Sequence, residues 1–139
     1  MARRSADPQL KIDWKALSKA ARDVQKRAYA PYSKFPVGAA ILGESGRIYT
    51  GCNVENASYG LTVCAERNAT AQAVAGGEKR IVAVAISVPE KPCPPCGVCR
   101  QVLAEFATPE LPVALIGGRE RTIHLLGNLL PFAFDASYL

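Results

Sequence analysis

Arg80-Ile81-Val82-Ala83-Val84-Ala85-Ile86-Ser87-Val88 is the stretch that decides the fold. Apart from Arg80 and Ser87 it is apolar throughout and shows no alternation, so it reads as a central strand buried on both faces. Such a strand needs helices over it. Upstream, Thr62 is placed to cap a helix running to Ala75, which Gly76-Gly77 ends. Downstream, beyond the proline-rich loop Lys91 to Pro95, Gly97 to Ala107 carries Val98, Val102, Leu103 and Phe106 on one stripe, a second covering helix. Farther toward the N-terminus, Phe35 to Leu42 and Arg47 to Val54 read as a hairpin around the turn Gly43-Glu44-Ser45-Gly46. An amphipathic helix precedes it. Trp14, Leu17, Ala20, Ala21, Val24 and Ala28 fall at helical spacing between the N-cap candidate Asp13 and Ala30, with Pro31 as the stop. At the C-terminal end, Pro112 to Ile116 and Thr122 to Leu126 read as strands separated by Gly117-Gly118. After the first helix the order β-β-α-β-α-β predicts a layered α/β domain. The order of strands within the sheet is left open.

The chain has 139 residues, which fits a basic N-terminal tail over 1–12 and one domain over 13–139. With 49% hydrophobic and 21% charged residues it can bury a core without disulfide staples, which excludes disorder and coiled coil. No apolar run approaches the roughly 18 residues of a membrane span. The start, Met1-Ala2-Arg3-Arg4-Ser5-Ala6-Asp7, lacks the apolar stretch of a secretory signal, so a cytoplasmic protein without a membrane partner is expected. The net charge of +5 is local: residues 1–30 carry eight Lys/Arg against three Asp, whereas residues 31–139 carry nine charges of each sign. A solvated basic face accounts for that better than a nucleic-acid track. Five cysteines, Cys52, Cys64, Cys93, Cys96 and Cys99, are an odd number, and three of them crowd into seven residues. That clustering points to metal binding or redox chemistry and not to a disulfide framework.

Cys64 falls in the first turn of one predicted helix, and Cys96 and Cys99 flank the start of the other. Orphan N–H groups and the positive dipole end favour thiolate there, the form that binds zinc. Three converging thiolates make a Cys₃ site, and a catalytic zinc site leaves its fourth position to water. His124, the only histidine, lies far off in a predicted strand and reads as a surface residue. Glu66 stands two residues after Cys64, close enough to serve the open position as a proton shuttle without binding metal. The apolar setting Val63-Cys64-Ala65-Glu66-Arg67-Asn68-Ala69 predicts that Glu66 is buried, and a buried charge needs a purpose. Arg67, directly after Glu66, and Arg100, directly after the ligand candidate Cys99, either balance the charge of three thiolates or are surface charges.

Cys64-Ala65-Glu66 followed by Pro95-Cys96-Gly97-Val98-Cys99 resembles the signature of the zinc-dependent deaminases, [H/C]-x-E with P-C-x-x-C. Tyr32-Ser33-Lys34-Phe35-Pro36-Val37-Gly38-Ala39-Ala40, Gly51-Cys52-Asn53-Val54-Glu55-Asn56-Ala57-Ser58-Tyr59-Gly60 and Cys99-Arg100-Gln101 are similar to the small cytidine deaminases, over roughly residues 13–134. The resemblance implies a three-layer α/β/α fold on a five-stranded mixed sheet. It also implies hydrolytic deamination of cytidine and 2′-deoxycytidine in pyrimidine salvage, one Zn²⁺ per subunit, and a homotetramer. By the same resemblance the Ala65 backbone amide contacts the pyrimidine, Tyr59 belongs to the substrate site, and Phe134 reaches the site of a neighbouring subunit.

One departure concerns Pro92-Cys93-Pro94-Pro95-Cys96, which also fits P-C-x-x-C. Cys96 and Cys99 are preferred, because Gly97 and Val98 keep N–H groups that can donate to sulfur and Pro94 and Pro95 have none. Cys93 is then a spectator exposed in the loop, and Cys52 a small core residue. In the expected chemistry Glu66 takes a proton from water, delivers it to cytosine N3 and helps protonate the departing ammonia. Asn53 and Glu55 alternate along a strand end, so both project from one face and can pair with ribose hydroxyls. Phe35 packs on the ligand. Two alternatives stand beside this reading: a deaminase of nucleic acid or of a cytosine-containing antibiotic, and a structural zinc module with a fourth protein ligand.

Overall fold

The structure is a computed structural model and describes residues 11–139. The basic tail expected over 1–12 therefore lies almost wholly outside the described residues; of it, Ile12 packs against the core. The apolar run forms a strand, β3 (Ile81–Val88), with all eight residues buried. Around it lie β1 (Gly38–Gly43), β2 (Ile48–Cys52), β4 (Pro112–Gly117) and β5 (Glu120–Leu125), in the order β2-β1-β3-β4-β5. Only the β3–β4 pair is parallel. It is joined by the crossover helix α3 (Gly97–Phe106), as a parallel pair requires. The sheet is thus mixed, with hairpins on either side of the crossover.

Helices cover both faces. Leu17 and Ala21 of α1 (Trp14–Gln25) pack on Ala40, Leu42, Ala83, Ala85, Ala114 and Ile116. On the other face, Ala65, Ala69 and Ala73 of α2 (Ala65–Ala75) and Leu103 of α3 pack on Ile41, Val84, Ile86, Val113 and Leu115. The expected three layers are present. Two glycines allow sheet and helices to approach at backbone distance. A Cβ at Gly38 would lie 2.1 Å from the Ala21 carbonyl of α1, and one at Gly51 would lie 2.3 Å from the Ala69 nitrogen of α2. A final helical turn, α4 (Leu126–Leu129), leads into the C-terminal tail.

Several boundaries differ from expectation. The first helix stops at Gln25 and not at Ala30, because Tyr29 is drawn into a bridge with Val54: its N–H donates to the Asn53 carbonyl at 3.0 Å. The first strand begins at Gly38 and not at Phe35, since the Asn53 side chain takes over the Val37 N–H at 2.8 Å and the Phe35 carbonyl at 2.9 Å. The second strand spans Ile48–Cys52, shorter than the expected Arg47 to Val54 at both ends. Thr62 does not cap α2; its hydroxyl accepts from the Asn56 N–H at 3.3 Å, and Cys64 occupies the N-cap. The last strand starts at Glu120 because Gly117 pairs with Glu120 across a turn of two residues, Gly118 and Arg119. At the first helix and the first strand, contacts distant in sequence override local preference.

Candidate active site

The N-termini of α2 and α3 meet at one place, and each is capped by a cysteine in the same extended geometry. Cys64 has φ −68° and ψ 155°, and Cys96 has φ −65° and ψ 163°. Both sit at the N-cap, one residue before the position expected for Cys64, and neither sulfur caps its own helix. Cys99, fully buried in the first turn of α3, completes a triangle. The Cys64 and Cys96 sulfurs are 4.0 Å apart, those of Cys96 and Cys99 3.4 Å, and all three lie within 4.8 Å of one another. Zn–S bonds of about 2.3 Å in a tetrahedron place sulfurs about 3.8 Å apart, so the triangle fits zinc closely. Among the described residues it is the only such group of His, Cys, Asp or Glu.

Glu66, in the first turn of α2, is 6% exposed, as its apolar setting predicts. Its Oε2 accepts from the Cys99 thiol at 3.1 Å. Burial raises its pKa above the ordinary carboxylate range, and the nearby Cys64 sulfur adds to the rise. Cys64 moves the other way, down to about 5, through hydrogen bonding from Cys99 and then from Arg67, whose Nη2 lies 3.8 Å from the sulfur. The Cys99 thiol is pushed up by its hydrogen bond to Cys64, by burial and by the Glu66 carboxylate. Arg67 also donates to the Thr62 carbonyl at 3.2 Å, which holds its charge beside Cys64.

Arg100 behaves differently from the expected partner of the thiolates. Its Nε donates to the Pro95 carbonyl at 2.7 Å and its Nη1 to the Leu129 carbonyl at 2.6 Å. The side chain reaches along α3 to brace the cysteine loop and the start of the tail. His124 is exposed on β5 with Nε2 3.0 Å from the Thr122 hydroxyl, far from the sulfurs in the sheet order.

A cleft of about 270 Å³ opens over Cys64, Ala65, Glu66 and Cys96, and Phe35, Asn53 and Glu55 also line it. The sequence reading missed Ile86 and Val88 at the end of β3, and Cys93, which also line it. Strand-end residues look like core in a sequence, and only the crossover shows that they face a cavity. Cys93 is correspondingly not exposed: it is half-buried and packs against the core. Cys52 is also half-buried, lining a larger concavity of about 510 Å³ between α1, β2 and α2 that holds no carboxylate. Tyr59 and Phe134 do not line the cleft. Tyr59 is 76% exposed at an adjoining hollow, edge-on to Tyr32, and Phe134 is 58% exposed and stacked on Tyr138.

The chain is similar to known proteins in sequence and in fold. The family model described as cytidine and deoxycytidylate deaminase zinc-binding region matches residues 12–115. A cytidine deaminase of Sporosarcina psychrophila is 46% identical over 134 residues, covering 91% of this chain and 97% of that protein. The crystal structure of cytidine deaminase from Burkholderia pseudomallei superposes with a TM-score of 0.84 at 44% identity, over 88% of this chain and 100% of that one. That from Mycobacterium tuberculosis does so with a TM-score of 0.78 at 42% identity, over 90% and 99%.

Proposed function

The chain belongs to the cytidine and deoxycytidylate deaminase family, and on that premise we propose that it hydrolyses cytidine and 2′-deoxycytidine to uridine and 2′-deoxyuridine with release of ammonia. One observation carries the reading: a buried carboxyl, Glu66, lies 3.1 Å from one of three clustered cysteine sulfurs at the base of a cleft. Cys64, Cys96 and Cys99 would hold zinc, a soft three-sulfur donor set that leaves one tetrahedral corner free. When bound, zinc supplies Lewis-acid activation of water near neutral pH.

The chain's own groups do the rest. Glu66, with its pKa raised by burial, takes one proton from the attacking water and delivers it to ring N3, then takes the second from the hydroxyl so added at C4 and passes it to the amino group, which leaves as ammonia as the C4 carbonyl forms. Arg67 offsets the sulfur charge. The Ala65 N–H opens α2, has no intrahelical acceptor and lines the cleft, so it is available to the pyrimidine. Phe35 packs on the ligand, while Asn53 and Glu55 take the sugar hydroxyls.

The assembly is a homotetramer in this reading, with Tyr59 and Phe134 completing neighbouring sites; their exposure away from their own cleft supports it. Every residue of β5 is exposed, including Ile123 and Leu125, which leaves apolar surface for a partner copy. Residues 13–139 act as one catalytic domain. Five free cysteines suit the reducing cytoplasm, the uridine and 2′-deoxyuridine products suit pyrimidine salvage, and no helix among the described residues is long and apolar enough to cross a membrane. A polynucleotide is disfavoured, because Glu55 would repel a 3′-phosphate and the charges of residues 31–139 balance. The test is Glu66→Gln. It should keep its zinc and its affinity for the nucleoside while turnover drops about 10²–10⁴-fold. Turnover near that of the unaltered enzyme would refute the assignment.

A further inference from the structure

Glu55 is held by a short loop that the chemistry above leaves unused. Its Oε1 accepts the N–H groups of Tyr32 at 3.0 Å and Ser33 at 3.1 Å, and its Oε2 accepts the Ser33 hydroxyl. The Ser33 oxygen is fixed from behind, since it accepts the Phe35 N–H at 3.1 Å. With that lone pair engaged, its proton turns toward Glu55. The loop folds back through Lys34, a non-glycine residue at φ 57°, whose N–H is tied to the Ala30 carbonyl at 3.1 Å. A residue in that region persists only where its surroundings over-determine it, and here they do. Asn53 holds the other end of the same loop through Phe35 and Val37. Ser33, Phe35, Asn53 and Glu55 all line the cleft. The Ser33 hydroxyl is also the first cause of a Glu55 pKa below the ordinary carboxylate range, so the group is charged before any ligand arrives.

We propose that Ser33 is a positioning residue for the sugar: its hydroxyl fixes the carboxylate of Glu55 so that the lone pair left on Oε2 accepts the 3′-hydroxyl of the nucleoside. The 3′-hydroxyl is the sugar group that both proposed substrates carry beside the 5′ position. The proposal rests on the reading that Glu55 pairs with a sugar hydroxyl. An untethered glutamate would have to be ordered at each binding event, and a tethered one is ordered already; that is preorganisation.

The experiment measures kcat and KM of zinc-loaded enzyme, Ser33→Ala and Ser33→Thr on cytidine and on 3′-deoxycytidine. Unaltered enzyme should favour cytidine by about 10²-fold, as a charge-assisted hydrogen bond predicts. Ser33→Ala should raise KM for cytidine about tenfold with kcat within about twofold. The same variant should leave 3′-deoxycytidine almost unaffected, and Ser33→Thr should restore binding. If unaltered enzyme treats the two nucleosides alike, the reading of Glu55 fails and the proposal with it. If it prefers the hydroxyl and Ser33→Ala keeps that preference in full, or loses activity equally on both, the role of Ser33 alone is overturned.

Discussion

Gly51→Ala should damage catalysis from the far side of a helix. β2 lies on α2 at backbone distance, and the added Cβ would stand 2.3 Å from the Ala69 nitrogen, 2.7 Å from the Ala65 carbonyl oxygen and 2.8 Å from the Asn68 carbonyl carbon. All three atoms are helix backbone, so no flexible side chain can absorb the clash. To restore ordinary contact at 3.5–4.0 Å, α2 must retreat by roughly 1 Å or more. Overpacking of that kind costs about 1–3 kcal/mol, a fall in Tm of roughly 3–12 °C. The same helix carries Cys64 at its N-cap and Glu66 in its first turn. A 1 Å displacement of a catalytic group costs about 10²-fold in rate. Differential scanning calorimetry and steady-state kinetics on the zinc-loaded variant measure both effects. Gly38→Ala is the control: its Cβ would meet α1 on the opposite face, 2.1 Å from the Ala21 carbonyl oxygen. It should lower Tm comparably with a much smaller loss in kcat/KM. The reasoning fails if Gly51→Ala leaves Tm and kcat/KM unchanged, or if the two variants lose turnover equally.

Further outcomes are expected elsewhere in the molecule. Cys99→Ser should lose zinc while Cys93→Ser retains it, because Cys93 stands outside the sulfur triangle; metal analysis of the purified variants decides between them. Phe134→Ala should weaken nucleoside binding about tenfold if the ring packs in a neighbouring site, and light scattering at micromolar concentration should still give a tetramer; a fully active monomer would contradict the shared site. The hydrogen bonds to Glu55 hold its pKa down, so they stabilise the fold above its unfolded value and are lost as pH falls through the folded value. The Tm gap between the unaltered enzyme and Ser33→Ala should therefore be full at neutral pH and close as pH falls below the ordinary glutamate range.

The layers of this fold were legible because burial leaves a direct trace: Ile81–Val88 is apolar on both faces since helices lie on both. Element ends were less legible. Nothing local in Tyr29 announces a bridge to Val54, and nothing in Asn53 says that its amide will replace strand pairing at Val37. The metal-binding cluster was readable from spacing, because a cysteine at a helix start and a C-x-x-C at another are short-range patterns. Their convergence depends on the β3–β4 crossover, which the sequence leaves open. Arg100 shows the same limit: a cation beside a ligand suggested charge balance, yet its reach along α3 places it on the Pro95 and Leu129 carbonyls. Ser33 passed unnoticed because its importance lies in one contact, to a carboxylate 22 residues away.

The central claim is that this cleft deaminates a free cytosine nucleoside. The most direct measurement follows purified, zinc-loaded protein with cytidine, quantifying uridine and ammonia together, in parallel with a single-stranded oligonucleotide containing cytosine. Uridine and ammonia should appear in equal amounts, with cessation on removal of the metal and negligible conversion of the oligonucleotide. Intact cytidine alongside a deaminated oligonucleotide, or no product from either, would contradict the account.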